Sequence, residues 1–302
     1  MQNHDEITSE LTTLRDYARW SMGRFTESNI FYGHGTDNAW DEALTLIFHL
    51  LHLPPEANQH VLDAVLTKAE RQLILRVVET RCLDRMPLPY LTNEAWFTGM
   101  PFIVDERVLI PRSPIGELIE AGFFPWAPPS VSKVLDLCAG SGCIGLACVN
   151  HLEVEADLVD LSTDALAVAT KNIAKHGMSE SARVIQSDLF AEVNDHYDII
   201  VTNPPYVDAA DLDAMPPEFH HEPRVALAAG DDGLDLAHRI LAESSRYLTE
   251  QGILVMEVGN SWVALEQAYP SVPFTWIEFE RGGHGVCVFN RQELVQYFSS
   301  VL

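Results

Sequence analysis

Beyond Val131 the chain alternates short apolar runs with segments of helical period. The runs fall at residues 134–137, 156–160, 183–186, 198–202, 253–258, 275–280 and 286–289. Helical segments lie between them, ending at about 150 and spanning 164–176, 234–248 and 262–268. Such alternation dictates a parallel sheet with helices on both faces, because each parallel connection must cross the sheet. Gly282-Gly283 sits between the last two runs. So close a connection joins antiparallel neighbours, so the last strand opposes the one beside it. The predicted fold class is α/β, a doubly wound, seven-stranded, mostly parallel sheet with the last strand antiparallel.

The N-terminal third has a different rhythm. Leu11, Leu14, Tyr17, Ala18, Met22 and Phe25 recur at helical spacing. Ala43, Leu44, Ile47, Phe48 and Leu51 mark a second helix, stopped by Pro54-Pro55. Thr67 and Glu70 have capping-box spacing and open a third, over 68–83. Residues 95–97 and 102–110 read as two strands around Gly99-Met100-Pro101. The expected organisation is a small helical substrate-recognition domain over 1–92, a β-hairpin linker over 93–112, and the α/β domain over 113–302.

Charge narrows the partners. The 302 residues carry 19 Lys+Arg against 44 Asp+Glu, a formal net charge of −25. A field of that sign repels duplex DNA and ribosomal RNA and attracts a basic protein. The five cysteines, at 82, 138, 143, 148 and 287, are odd in number and match no zinc spacing. No metal site is expected. Cys138, Cys143 and Cys148 read as buried small hydrophobes, and a reducing, cytoplasmic setting fits them. The first residues show no basic stretch leading into an apolar one, so no signal peptide is expected. No apolar run approaches about 18 residues, so no membrane span is expected.

Asn203-Pro204-Pro205-Tyr206 follows the run at 198–202. Each proline fixes φ, lacks an N–H and pushes the residue before it toward extended backbone. The turn leaves the Asn203 side-chain carbonyl and nearby main-chain carbonyls able to accept hydrogen bonds. Two fixed acceptors beside an aromatic ring suit a planar –NH2 group, which points to chemistry on an amide or exocyclic amino nitrogen. Taken alone, Asn203 reads as a strand-end cap bonded to its own backbone.

The first strand leads into Asp136-Leu137-Cys138-Ala139-Gly140-Ser141-Gly142. Glycines there let the backbone turn tightly and let a ligand approach. Gly140, Gly142 and Gly145 could instead merely close a tight strand–helix packing, a reading that the motifs taken together outweigh, and their match to a dinucleotide fingerprint is weak evidence by itself. Asp160 ends the second strand, where a carboxylate commonly holds ribose hydroxyls. Asp188, after the third, is placed to reach an adenine amino group. Asp136 would face a positive charge and repel a pyrophosphate. Together with Asn203-Pro-Pro-Tyr, this favours S-adenosyl-L-methionine over a dinucleotide, with S-adenosyl-L-homocysteine as product.

On these motifs residues 131–290 resemble class I S-adenosylmethionine-dependent methyltransferases with the Asn-Pro-Pro-Tyr motif. That set includes N5-glutamine protein methyltransferases and N6-adenine DNA methyltransferases. Glu222-Pro223, Asp232-Gly233-Leu234 and Glu257-Val258-Gly259 are similar to the glutamine enzymes. Tyr32-Gly-His-Gly-Thr-Asp-Asn38, Pro89-Tyr-Leu-Thr92 and Pro111-Arg-Ser-Pro114 are similar to those acting on large-subunit ribosomal protein number three. The resemblance implies a basic ribosomal protein substrate, free or in an assembling subunit, and no stable nucleic-acid binding. It implies Asn203, Pro204 and Tyr206 as catalytic, and Asp136, Cys138, Ala139, Gly140, Ser141, Gly142, Asp160, Asp188 and Asn203 as cofactor-binding. It implies substrate contacts from Asn203 to Tyr206, Pro205 included, with Arg112 and Glu222.

One residue departs from the family pattern, which has glycine at position 138. Cysteine tolerates positive φ poorly, so either Cys138 has ordinary dihedrals or cofactor affinity is reduced. Arg112 reads equally as a substrate contact or as half of a salt bridge. Glu222 reads chiefly as ordering its loop. His34 reads as a loop hydrogen-bonding group, and His220-His221 as no metal site. Trp20, Trp40 and Trp96 read as core. Rival functions are a release-factor glutamine methyltransferase, an adenine-N6 nucleic-acid methyltransferase, and a non-catalytic assembly factor.

Overall fold

The computed structural model describes residues 4–298. Residues 1–3, which bear on the leader expectation, lie outside them. The chain forms two compact units. One comprises Met1–Glu94 with Pro216–His221, and the other Ala95–Met215 with Glu222–Leu302.

The first unit is helical, with helices at His4–Glu10, Leu14–Glu27, Ala39–Leu50, Lys68–Leu83 and Leu88–Thr92. Thr13/Asp16 and Thr67/Glu70 form complete capping boxes at two of them. Their inward faces bury Tyr17, Phe25, Leu46, Ile47, Ile74 and Val78 in one core. A charged group lies within the same unit. Arg81, 1% exposed, donates to Glu42 at 2.6 Å and to Glu218 at 3.3 Å. Glu218 also accepts the Phe31 N–H at 3.0 Å. The short segment Pro216–His221 therefore belongs with the helices rather than with its sequence neighbours.

The second unit opens with a hairpin, β1 (Glu94–Phe97) and β2 (Met100–Ile103). The strand expected to run to residue 110 stops at Ile103. Asp105 accepts the Arg107 N–H, turning the chain away. The side chain of buried Asn172 takes the partner strand's place, accepting the Ile103 N–H at 2.7 Å and donating to its carbonyl at 3.0 Å. Trp96 is 55% exposed and not core. In β1 it alternates with buried Ala95 and Phe97, so its ring takes the other face.

Seven strands build the main sheet: β3 (Lys133–Leu137), β4 (Glu155–Asp160), β5 (Ala182–Gln186), β6 (Tyr197–Thr202), β7 (Leu248–Glu257), β8 (Thr275–Trp276) and β9 (Val286–Asn290). Their order is β5-β4-β3-β6-β7-β9-β8. The pairs from β5 through β7 are parallel, and β9 runs antiparallel to both β7 and β8. The expected antiparallel last strand is present, inserted between its two predecessors.

The central strands are apolar because both faces are covered. Val134, Ile199, Val201 and Val255 point to one core, with Leu146, Ala147 and Ile173 from helices Cys143–Leu152 and Thr163–Lys175. Leu135, Leu137, Ile200 and Leu254 point to the other, with Ile240, Leu241 and Leu294. Alternation of period two thus divides each strand between two cores. Burying one such Leu or Ile contributes about 1.5–3 kcal/mol. The winding direction reverses between β3 and β6, and the carboxyl ends there define the crevice where such sheets take ligands.

Candidate active site

Four strand ends meet at that crevice. β3 runs into the glycine loop, β4 ends at Asp160, β6 runs into Asn203, and β7 ends at Glu257. Thr202 Oγ1 donates to the Leu137 carbonyl at 2.8 Å, and Ala139 N–H to Val159 O at 2.9 Å. These bonds hold the β3, β4 and β6 exits together.

The loop glycines have separate tasks. A Cβ on Gly145 would run into Leu158, and one on Gly142 would meet the same side chain at 2.9 Å. Both serve the packing of helix Cys143–Leu152 on β4. Gly140, at φ +55°, has nothing within 4 Å of where a Cβ would stand. The loop is open at that point. Cys138 has φ +60°, so ordinary dihedrals are excluded at the position where the family has glycine. It is only partly buried, unlike Cys143 and Cys148. Asn172, absent from the sequence expectations, braces the loop by donating to Ser141 O at 2.9 Å.

Two carboxylates flank the loop. Asp136 is fully buried, and its Oδ2 accepts the Gly145 N–H at 2.8 Å. Its Oδ1 has no partner among the described residues. Burial, with nearby Asp160 adding to it, pushes its pKa up to about 7. Asp160 accepts from Gly140 N–H at 2.9 Å and from Ser162 N–H at 2.8 Å. Burial raises its pKa, and these N–H donors oppose the rise. Asp188 follows β5 and pairs with Arg239 at 2.9 Å.

Asn203 leaves β6 with its side chain bonded to nothing among the described residues. The strand-end cap expected from the residue alone is not formed. Pro204 is buried, and Pro205 and Tyr206 are half-buried. Tyr206 donates its hydroxyl to Glu257 Oε1 at 3.0 Å, and Ser113 donates to Glu257 Oε2 at 2.6 Å. Burial pushes the Glu257 pKa up to about 6, against the pull of those donors and of Arg112.

Arg112, read as a substrate contact or half of a salt bridge, and Glu222, read chiefly as ordering its loop, bond each other at 2.5 and 2.7 Å. Glu222 also accepts the Ile110 N–H at 3.0 Å. Glu257 and Ser113 are site residues that the sequence expectations miss. A signal for Glu257 is present, a carboxylate ending the apolar run Ile253-Leu-Val-Met. In the parallel register Thr202 faces Met256, so Asn203 and Glu257 leave the sheet side by side. Among the described residues no cluster of three or more His, Cys, Asp or Glu side chains could hold a metal ion. No described helix is long and apolar enough to cross a membrane.

A family model described as methyltransferase small domain matches residues 126–272. A methyltransferase structure from Pyrococcus furiosus matches at 12% identity and TM-score 0.47, covering 75% of this chain and 99% of that one. Much nearer is the ribosomal protein uL3 glutamine methyltransferase of Francisella tularensis, 49% identical over 98% of this chain and 96% of the relative. The enzyme of that name from Neisseria gonorrhoeae is 44% identical over 96% and 98%. Likeness at that level along almost the whole of both chains means that this protein belongs to the ribosomal protein uL3 glutamine methyltransferases.

Proposed function

We propose that the protein transfers a methyl group from S-adenosyl-L-methionine to the side-chain amide nitrogen of a glutamine in ribosomal protein uL3. The observation that carries the reading is Asn203, an acceptor fixed by two prolines at the sheet's ligand edge and left unbonded by the described residues.

The loop fits the cofactor. Asp136 keeps one buried oxygen without a partner, Gly140 is open, and Asp160 ends β4. Asp136, Cys138 to Gly142, Asp160 and Asp188 would hold the cofactor, with the Asp136 carboxylate facing its cationic end. When bound, it supplies an electrophilic methyl group on a sulfonium.

A carboxamide nitrogen is a poor nucleophile because its lone pair is delocalised into the carbonyl. Asn203 Oδ1 and the Pro204 carbonyl each accept one N–H and fix the nitrogen's orientation. Positive charge develops on that nitrogen as it reacts. The two oxygens stabilise the charge more than they stabilise the neutral amide, which is what lowers the barrier. Tyr206 packs on the planar amide and keeps water out.

The strongly acidic surface supports a basic protein substrate and argues against a nucleic acid. The test is Asn203→Ala with purified uL3 and labelled cofactor. Methyl transfer should fall by about 10²–10³ or more, since a preorganised charge-stabilising group is removed. Cofactor affinity, read by calorimetry, should persist. Full transfer by this variant would end the reading.

A further inference from the structure

Tyr206 is gripped from four sides. A Cβ on Gly259 would run into its ring, and a Cβ on Gly233 would run into its carbonyl oxygen. Ser261 Oγ donates to that carbonyl at 2.8 Å. The hydroxyl ends on Glu257, which is itself 4% exposed. Ser113 occupies the second Glu257 oxygen and also accepts the Ile115 N–H at 3.2 Å. The carboxylate is therefore held at both ends, and the bond it makes toward the crevice is the one from the phenol. A tyrosine serving merely as packing needs none of this, since its hydroxyl could face water. The cradle also accounts for two motifs that the cofactor site leaves unused, Asp232-Gly-Leu and Glu257-Val-Gly.

We infer that Glu257 is a positioning residue for methyl transfer, holding the Tyr206 ring against Gly259 so that it lies over the amide presented to Asn203. The inference rests on the reading of Asn203 and Tyr206 given above. The bond is well matched for the task. Burial and the neighbouring carboxylate raise the Tyr206 pKa, so the hydroxyl keeps its proton and remains the donor. Replacing Gly259 or Gly233 would displace the ring or its backbone, whereas removing the Glu257 carboxylate would free the ring without filling its place.

The test is a double-mutant cycle on the full-length enzyme with uL3. The variants are Glu257→Ala, Glu257→Gln, Tyr206→Phe, Glu257→Ala with Tyr206→Phe, and Asn203→Ala. Glu257→Ala should lower kcat about 10–100-fold, the range for a reacting group displaced by about an ångström. Cofactor Kd should stay within roughly twofold, because the loss is confined to the reacting complex. Glu257→Gln keeps an acceptor for the phenol and should recover most of kcat. Tyr206→Phe should lose as much as Glu257→Ala, and the double variant no more than either. Losses that multiply in the double variant, or a Glu257→Ala kcat equal to wild type, would overturn the inference. If Glu257→Ala fails to fold, Tyr206→Phe decides, and a wild-type kcat there overturns it as well. An active Asn203→Ala would instead overturn the parent reading, so the two failures are distinguishable.

Discussion

Arg112 and Glu222 form a forked ion pair, two bonds of 2.5 and 2.7 Å between the segment that enters the α/β core and the loop that follows Tyr206. The Glu222 side chain is fully buried, while Arg112 is 25% exposed. Arg112→Ala takes the forked cation away from that buried carboxylate, which keeps the Ile110 N–H. The expected cost is about 2–3 kcal/mol, discounted from a fully buried pair for the exposure of Arg112. Arg112→Lys should not restore it, since the planar fork is lost. Urea unfolding midpoints measure both. A purely substrate-binding role predicts the opposite pattern, an unchanged midpoint and a raised KM.

Arg81 is the sharper case. Its side chain is 1% exposed between Glu42 and Glu218, which are 3% and 0% exposed. Arg81→Met removes that cation from both buried carboxylates, of which Glu218 keeps Arg85 at 3.0 Å. Destabilisation of about 3–5 kcal/mol is expected, more than for Arg112→Ala. Chemical denaturation of the two variants side by side checks the ranking.

The glycine loop makes a paired prediction. Gly145→Ala forces a methyl into Leu158 and should cost about 1–3 kcal/mol of stability. Gly140→Ala meets no neighbour, so only its positive φ opposes it, at about 1–2 kcal/mol. Its larger effect should be on cofactor Kd, because the methyl enters the open side of the loop. Equal losses of affinity in both variants would contradict the division of tasks.

Asp136 gives a pH signature. An unfolded aspartate titrates near 3.8, and in the folded protein burial moves this one to about 7. The folded state thus binds the proton more tightly. Its contribution to stability is fully present below about 3.8 and is lost as pH rises through about 7. Wild type should lose stability relative to Asp136→Asn across that window, by an amount on the order of 4 kcal/mol. Urea melts of ligand-free protein at several pH values measure the difference. A difference that stays flat with pH would contradict the burial argument.

What the sequence makes legible follows the range of the interactions involved. The parallel core is legible because strands covered on both faces must be apolar throughout, as 134–137 and 198–202 are. Asn203-Pro-Pro-Tyr and the loop glycines are legible because their chemistry is local. The Tyr206–Glu257–Ser113 contact is not, since it joins three segments far apart in the chain. The strand expected to reach residue 110 is overextended because its end depends on Asn172, a residue from a distant helix. Trp96 is misplaced when its size is weighed above its alternation with Ala95 and Phe97. Nothing local distinguishes 216–221 from its neighbours, because its attachment depends on Arg81 and Phe31.

The most direct test is mass spectrometry of uL3 from cells lacking this protein, beside cells restored with wild type or with Asn203→Ala. The account predicts that uL3 loses one methyl group, mapped to a glutamine side chain, and that wild type alone restores it. Unchanged uL3 in the deleted cells, or full restoration by Asn203→Ala, would contradict it.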